Sequence, residues 1–273
     1  MAHVGKVNKR GKKQHSPKTK IKIVDGRIII GRNAVKEVLY NAPERFKKIY
    51  TALDKEKIFS KNDLQIINQK KISIETLDAN SMKQLSGSDS HQAVMAVLKE
   101  KPQVTLKEFV HSHNDTDRSL VLLLDDIQDP QNLGSILRAA ECFAVDLVIY
   151  SKNKGSSITA AVTKASVGAS ELLKIMPVSN LVDVLRKLRN AGFWLITADA
   201  DLNGSKLADF RFPLKSVIVL GSEGRGVQPL IKKEADFSVY IELFGKISSL
   251  NVSQAAAIML NAYRCAARPN AIS

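Results

Sequence analysis

Leu120-Val121-Leu122-Leu123-Leu124-Asp125-Asp126 sets five apolar residues in a row before two carboxylates. A strand with one face in water alternates apolar and polar residues. An unbroken run of this kind signals a strand covered on both faces, as in a parallel sheet flanked by helices. Downstream, a helix is expected from about Asn132 to Phe143, then a strand Asp146–Tyr150, a helix Thr159–Leu173 and an extended segment Ile175–Val178. An amphipathic helix Leu181–Ala191, strands Phe193–Ala198, Ser216–Leu220 and Phe237–Ile241, and a long helix Asn251–Ala267 follow. Such alternation predicts an α/β domain over residues 119–273, built on a mainly parallel sheet with helices on both faces.

Upstream, residues 25–100 read as a separate small α/β unit. Strands are expected at Arg27–Ile30, Lys48–Ala52, Ile72–Leu77 and Ala93–Leu98. Helical stretches Ala34–Tyr40 (capped by Asn33), Asn62–Gln69 and Ser81–Leu85 lie between them. Residues 101–118, with Pro102 and the polar string His111-Ser112-His113-Asn114-Asp115-Thr116-Asp117, read as the connection between the units. Two histidines at i, i+2 with no further Cys or His nearby do not make a metal site, and no metal is expected.

The 273 residues carry a formal net charge of +14. Residues 1–24 hold Lys6, Lys9, Arg10, Lys12, Lys13, Lys18, Lys20 and Lys22, and no acidic residue. Such an excess favours a polyanionic partner, because each neutralised phosphate releases condensed counterions. The tail itself reads as a nucleic-acid arm or as a disordered solubilising extension. No apolar core follows its basic residues, so a secretory signal is not expected; lysine outnumbers arginine, which argues against a mitochondrial transit peptide. No run approaches the ~18 apolar residues of a spanning helix, so no membrane partner is expected. Cys142 and Cys265 each fall in an apolar helical pattern and read as buried free thiols, which suits a reducing cytoplasm.

In open α/β sheets ligands bind beyond the carboxyl ends of the strands, and three loops lie there. Asp129-Pro130-Gln131-Asn132-Leu133-Gly134-Ser135-Ile136-Leu137-Arg138 offers Asn132 as a helix cap, Gly134 for close approach in the first turn, and Arg138 well inside the helix. Leu220-Gly221-Ser222-Glu223-Gly224-Arg225-Gly226-Val227 is a glycine-rich turn whose backbone N–H groups can meet a ligand closely. It is neither Gly-x-Gly-x-x-Gly nor a P-loop. Glu223 repels phosphate and suits a cationic or hydroxyl-bearing ligand. Lys246-Ile247-Ser248-Ser249-Leu250-Asn251-Val252-Ser253-Gln254-Ala255-Ala256 puts Ser249 or Asn251 where a cap belongs, ahead of a helix of small residues fit for close packing, a second subunit included. Taken singly, the three loops are equally two capped helices and a tight turn.

In order and together, they resemble the three motifs of the SpoU (TrmH) family of RNA ribose 2′-O-methyltransferases. The matching residues are Asn132, Gly134 and Arg138; Gly221, Glu223, Gly224 and Gly226; and Ser248-Ser249-Leu250-Asn251-Val252-Ser253. Gly31-Arg32-Asn33-Ala34-Val35 and His91-Gln92 resemble the family's substrate-binding domain. The chain departs from the pattern at Ala93, where glycine is common, and at Ile241-Glu242-Leu243, where Ile-Pro-Met is common. The resemblance covers residues 27–267 and is nearest to the bacterial enzymes that methylate a guanosine of 23S ribosomal RNA.

The resemblance implies a SPOUT-type α/β fold with a mainly parallel sheet and a carboxy-terminal trefoil knot, preceded by a small α/β (L30e-like) substrate-binding domain. It also implies S-adenosylmethionine as methyl donor, structured RNA as partner, and a homodimer with the active site near the subunit boundary. Arg138 becomes the candidate that activates the ribose hydroxyl, oriented with the ribose by Asn132 and Glu223, while Ser249 and Asn251 shape the same pocket. Gly221, Ile241 and Leu250 become the cofactor-lining candidates. A guanidinium keeps its proton up to about pH 12 and is an awkward base; Arg138 is either an unusually perturbed base or, the physically favoured reading, a charged group that holds phosphate and stabilises alkoxide. A transfer-RNA ribose methyltransferase and a non-catalytic RNA-binding protein are the alternatives. A Rossmann oxidoreductase would need Gly-x-Gly-x-x-Gly in the first βα turn, which Asp129–Gly134 does not supply.

Overall fold

The computed structural model describes residues 25–113, 117–199 and 203–266. The basic tail 1–24 and Ala267 lie outside the described residues. The first unit contains β1 (Arg27–Ile30), α1 (Arg32–Asn41), β2 (Phe46–Thr51), α2 (Lys61–Gln69), β3 (Ile74–Thr76), α3 (Ala79–Ser86) and β4 (Val94–Leu98). Its sheet runs β1-β4-β2-β3, antiparallel except for the β2–β3 pair. Helix α1 is capped by Gly31 rather than Asn33, and Gly31 takes φ +95°, a backbone that glycine tolerates without a steric penalty.

After α4 (Leu106–His111), the second unit contains β5 (Ser119–Leu124), α5 (Pro130–Cys142), β6 (Leu147–Ser151), α6 (Ala160–Ala165), α7 (Ala169–Leu172), β7 (Ile175–Val178) and α8 (Leu181–Asn190). It continues with β8 (Trp194–Ala198), β9 (Ser205–Lys206), β10 (Lys215–Leu220), α9 (Pro229–Glu234), β11 (Phe237–Tyr240) and α10 (Val252–Cys265). The strands order as β7-β6-β5-β10-β8-β11-β9, and every pairing is parallel.

Strand β5 is buried at all six positions. Leu120, Leu122 and Leu124 face a core built with α5, α6 and α10, whereas Val121 and Leu123 face one built with α4, α8 and α9. Both faces are covered, as the apolar run predicts. The connection between the units is not plain chain. Thr105 and Glu108 form a reciprocal capping box that starts α4, and Phe109 is buried in the second of these cores. The helix expected over Thr159–Leu173 is two short ones, because Val167 (φ 55°) and Gly168 (φ +88°) turn left-handed between them. A Cβ on Gly168 would lie 2.9 Å from the Ala34 carbonyl oxygen, so the break lets the first unit close onto α7. There Glu171, 2% exposed, accepts hydrogen bonds from Arg27 and from Arg45, the latter at 2.9 Å.

Candidate active site

Each of the three strand-end loops has its own local cause. The Asp129 carboxylate accepts the Gln131 N–H at 2.9 Å and starts α5, with Pro130 at the first position, where no N–H is needed. Asp129 is therefore the cap. Asn132, expected in that role, sits inside the first turn and caps nothing. The second loop turns sharply after β10. A Cβ on Gly221 would lie 2.1 Å from the Gly226 carbonyl carbon, so only glycine fits there. Ser222 and Gly226 exchange backbone hydrogen bonds of 2.9 and 3.2 Å across the turn. The third loop ends at Asn251, whose Oδ1 accepts the Ser253 N–H at 2.8 Å and caps α10.

These loops meet in a triangle of side chains. Asn132 Nδ2 donates to Glu223 Oε1 at 3.0 Å. Asn251 Nδ2 donates to the same oxygen at 2.7 Å and to Asn132 Oδ1 at 3.0 Å. Beside the triangle is a cavity of about 290 Å³, in which Asp126, Asp129 and Glu223 face Ile127, Val252 and Arg225. Three carboxylates give this space a negative field, which favours a cation or a hydroxyl donor and repels phosphate.

Sequence reasoning missed two residues that hold the second loop. Asp125, 1% exposed at the end of β5, accepts the Gln228 N–H at 2.8 Å and the Gln228 side-chain amide. The available signal was a carboxylate ending a buried apolar strand, which must find a donor. Gly134 has a different use from a ligand approach: its Cβ would lie 2.4 Å from Ala165 Cβ, so the glycine lets α5 pack on α6.

The other expected site residues stand apart from the triangle within one chain. Arg138 is exposed on the outward face of α5 with Ser135 and Cys142. Six positions past Asn132, it lies roughly 9 Å farther along the helix axis. It makes no hydrogen bond or ion pair among the described residues, so the expected orienting contacts from Asn132 and Glu223 are not made here. Ser249 and Leu250 are exposed, and Ile241 is half-buried against the core. Glu242, at the departure from Ile-Pro-Met, pairs with Lys206 at 2.7 Å. Both cysteines are exposed on outward helix faces rather than buried, because Cys142 and Cys265 end α5 and α10 on the side away from the sheet. In the first unit the Arg32 N–H donates to Gln92 Oε1 at 2.9 Å, which joins the two halves of the motif there. Ala93 has φ 61°, so the departure from glycine falls in the left-handed region. Among the described residues, no group of three or more His, Cys, Asp or Glu is placed to hold a metal, and no helix is long and apolar enough to cross a membrane.

The SpoU rRNA Methylase family model matches residues 119–261, and the model for RNA 2′-O ribose methyltransferase substrate binding matches residues 28–104. A Staphylococcus haemolyticus protein assigned to the TrmH family of tRNA/rRNA methyltransferases is 34% identical over 234 residues, 85% of this chain and 93% of that protein. Among solved structures, one from Porphyromonas gingivalis, assigned to the TrmH family of RNA methyltransferases, is 27% identical with a TM-score of 0.65, covering 87% of this chain and 88% of that one. The SpoU methyltransferase AviRb of Streptomyces viridochromogenes, solved with AdoMet, has the same fold: TM-score 0.69 at 20% identity, over 87% and 89% of the two chains. With family models spanning both units and a relative this similar along most of its length, the chain belongs to the SpoU (TrmH) family of RNA methyltransferases.

Proposed function

We propose that this RNA methyltransferase transfers a methyl group from S-adenosylmethionine to a ribose 2′-hydroxyl of structured RNA, and that its substrate is a guanosine of 23S ribosomal RNA in the cytoplasm. The observation that carries this reading is the Asn132–Glu223–Asn251 triangle beside an acidic cavity. When bound, S-adenosylmethionine supplies a methyl group already activated on a sulfonium, a cation that suits Asp126, Asp129 and Glu223. The chain's own residues need only align the hydroxyl and ease removal of its proton. Glu223, held on one oxygen by two amides, orients the ribose, and Ser249 completes that wall. Gly221, Ile241 and Leu250 line the cofactor through backbone groups and apolar contact. The exposed Phe244 and Ile247, a few residues before Asn251, add apolar surface for an adenine ring.

Arg138 enters the site through a homodimer. The outward face of α5 and α10 carries unpaired Arg138 and the exposed Ile258. Pairing two such faces brings Arg138 of the partner subunit toward the triangle, where it holds phosphate and stabilises alkoxide. Residues 25–100 bind substrate, 101–118 link, 119–273 carry catalysis, and the basic tail 1–24 is an RNA arm. What supports a trefoil knot is that β11 enters between β8 and β9, inside the excursion the chain makes between β8 and β10.

The test is methyl transfer from labelled S-adenosylmethionine to unmodified 23S ribosomal RNA, with cofactor binding followed by calorimetry. Arg138→Ala should lower transfer by about 10²–10³-fold with cofactor affinity retained. Arg138→Lys should also be damaging, because a planar fork becomes a point charge. Full turnover by Arg138→Ala removes Arg138 from the mechanism. Mapping 2′-O-methyl groups in cellular RNA with and without the gene identifies the nucleotide, and loss from a transfer RNA would replace the ribosomal substrate.

A further inference from the structure

The loop between β6 and α6, Lys152-Asn153-Lys154-Gly155-Ser156-Ser157, has no part in the site described above. It is nevertheless fastened to the cavity wall. The Ser156 N–H donates to the Ile127 carbonyl at 2.8 Å, and Gly155 (φ +86°) packs so closely that a Cβ would lie 2.8 Å from the same oxygen. Lys154 Nζ donates to Gln228 Oε1 at 3.2 Å, and Gln228 closes the glycine loop that carries Arg225. Arg225 therefore lines the cavity, Lys154 stands on the loop fastened beside it, and Lys152 lies two residues earlier in that loop.

All three are exposed. Among the described residues the side chains of Lys152 and Arg225 make no hydrogen bond or ion pair, and that of Lys154 makes none with a carboxylate. Some exposed lysines are matched to acids, as Lys83 is to Asp89 and Lys187 to Asp183. Asp126, Asp129 and Glu223 line the cavity with Arg225 beside them, and Lys152 and Lys154 stand on the adjoining loop. A phosphate is repelled by the three carboxylates and attracted to the neighbouring Lys152, Lys154 and Arg225, while a neutral ribose hydroxyl meets no such barrier. Farther along α6, the Lys164 stem lies against Gly31, its Cγ 3.2 Å from where a Cβ would stand, next to Arg32 of the first unit.

We propose that Lys152, Lys154 and Arg225 hold the backbone phosphates flanking the target ribose, and that Lys164 continues this track toward the first unit. The proposal rests on the RNA 2′-O-methyltransferase reading above. The test uses the full chain and an unmodified 23S ribosomal RNA transcript, with binding measured from 50 to 300 mM salt. Each lost phosphate contact should flatten the plot of log affinity against log salt by ~0.7–0.9. The double variant Lys152→Ala/Lys154→Ala should therefore lose about 1.5 from the slope and show a roughly tenfold higher KM for RNA. Its affinity for S-adenosylmethionine should stay that of the wild type. Lys57→Ala/Lys187→Ala, which removes the same charge elsewhere, should leave the slope nearly unchanged. An unaltered slope in the first variant, an equal fall in the second, or lost cofactor affinity would overturn the proposal. A wild-type chain that neither binds the cofactor nor methylates RNA would instead overturn the function it rests on.

Discussion

At Gly134 a single hydrogen stands where a methyl cannot. The position reserved for a Cβ is 2.4 Å from Ala165 Cβ and 3.0 Å from the Ala165 carbonyl carbon, so Gly134→Ala must push α5 off α6. Overpacking of this kind costs about 1–3 kcal/mol. Urea midpoints should show it, and methyl transfer should fall with it because α5 carries Asn132. An unshifted midpoint would mean that α6 yields without cost. Gly134 was legible in the sequence as a point of close approach, but not what approaches it. Asn132, Glu223 and Asn251 were legible as a set because family motifs preserve residues whose partners lie far along the chain. Asp125 was not read as a site residue, since its donor, Gln228, is 103 positions away and belongs to no periodic pattern. Arg138 was expected beside the triangle, yet within one chain it stands exposed on the outward face of α5.

Among the elements, the buried strands were the easiest to read, because a run covered on both faces has no polar positions to confuse it. Strand β5 divides its leucines and valines between two cores, as its composition requires. Short elements set by tertiary contact were not readable. Strand β9 has two residues and owes its existence to β11, and α9 is a single six-residue helix after Gln228. The break between α6 and α7 is imposed by the first unit at Gly168. Helix α5 shows a subtler error, in that its start was placed at Asn132 when Asp129 does the capping. Removing a cap costs about 1 kcal/mol. Asp129→Ala should therefore lower stability by that amount, and Asn132→Ala by less than half as much. The reverse order in thermal or urea unfolding would mean that the Asn132 bonds to Glu223 and Asn251 outweigh the cap.

Across the whole molecule, the two units are joined through charged groups as well as apolar contact. Glu171 on α7 receives Arg27 and Arg45 of the first unit, and Leu172 packs on that unit's core. Lys101, just before α4, donates its ammonium to the Ser170 carbonyl at 3.2 Å and to the Leu173 carbonyl. Burial pulls the Lys101 ammonium down to about 8; Glu171 opposes the shift, and Arg45 and Arg27 reinforce it. Between that value and the ordinary lysine value of 10.5, the unfolded chain binds more protons than the folded one, so this group adds stability as pH rises through the window. Lys48 and Lys206 act oppositely, since contact with Glu75 and with Glu242 raises their pKa values. Their effect is common to wild type and to a Lys101 variant, so the comparison cancels it. Denaturant midpoints of wild type and Lys101→Met, measured from pH 7 to pH 10, should diverge in favour of the wild type with increasing pH. Parallel curves over that range would mean that Lys101 is solvated in solution and that the contact between the units is looser than the buried Glu171 cluster implies.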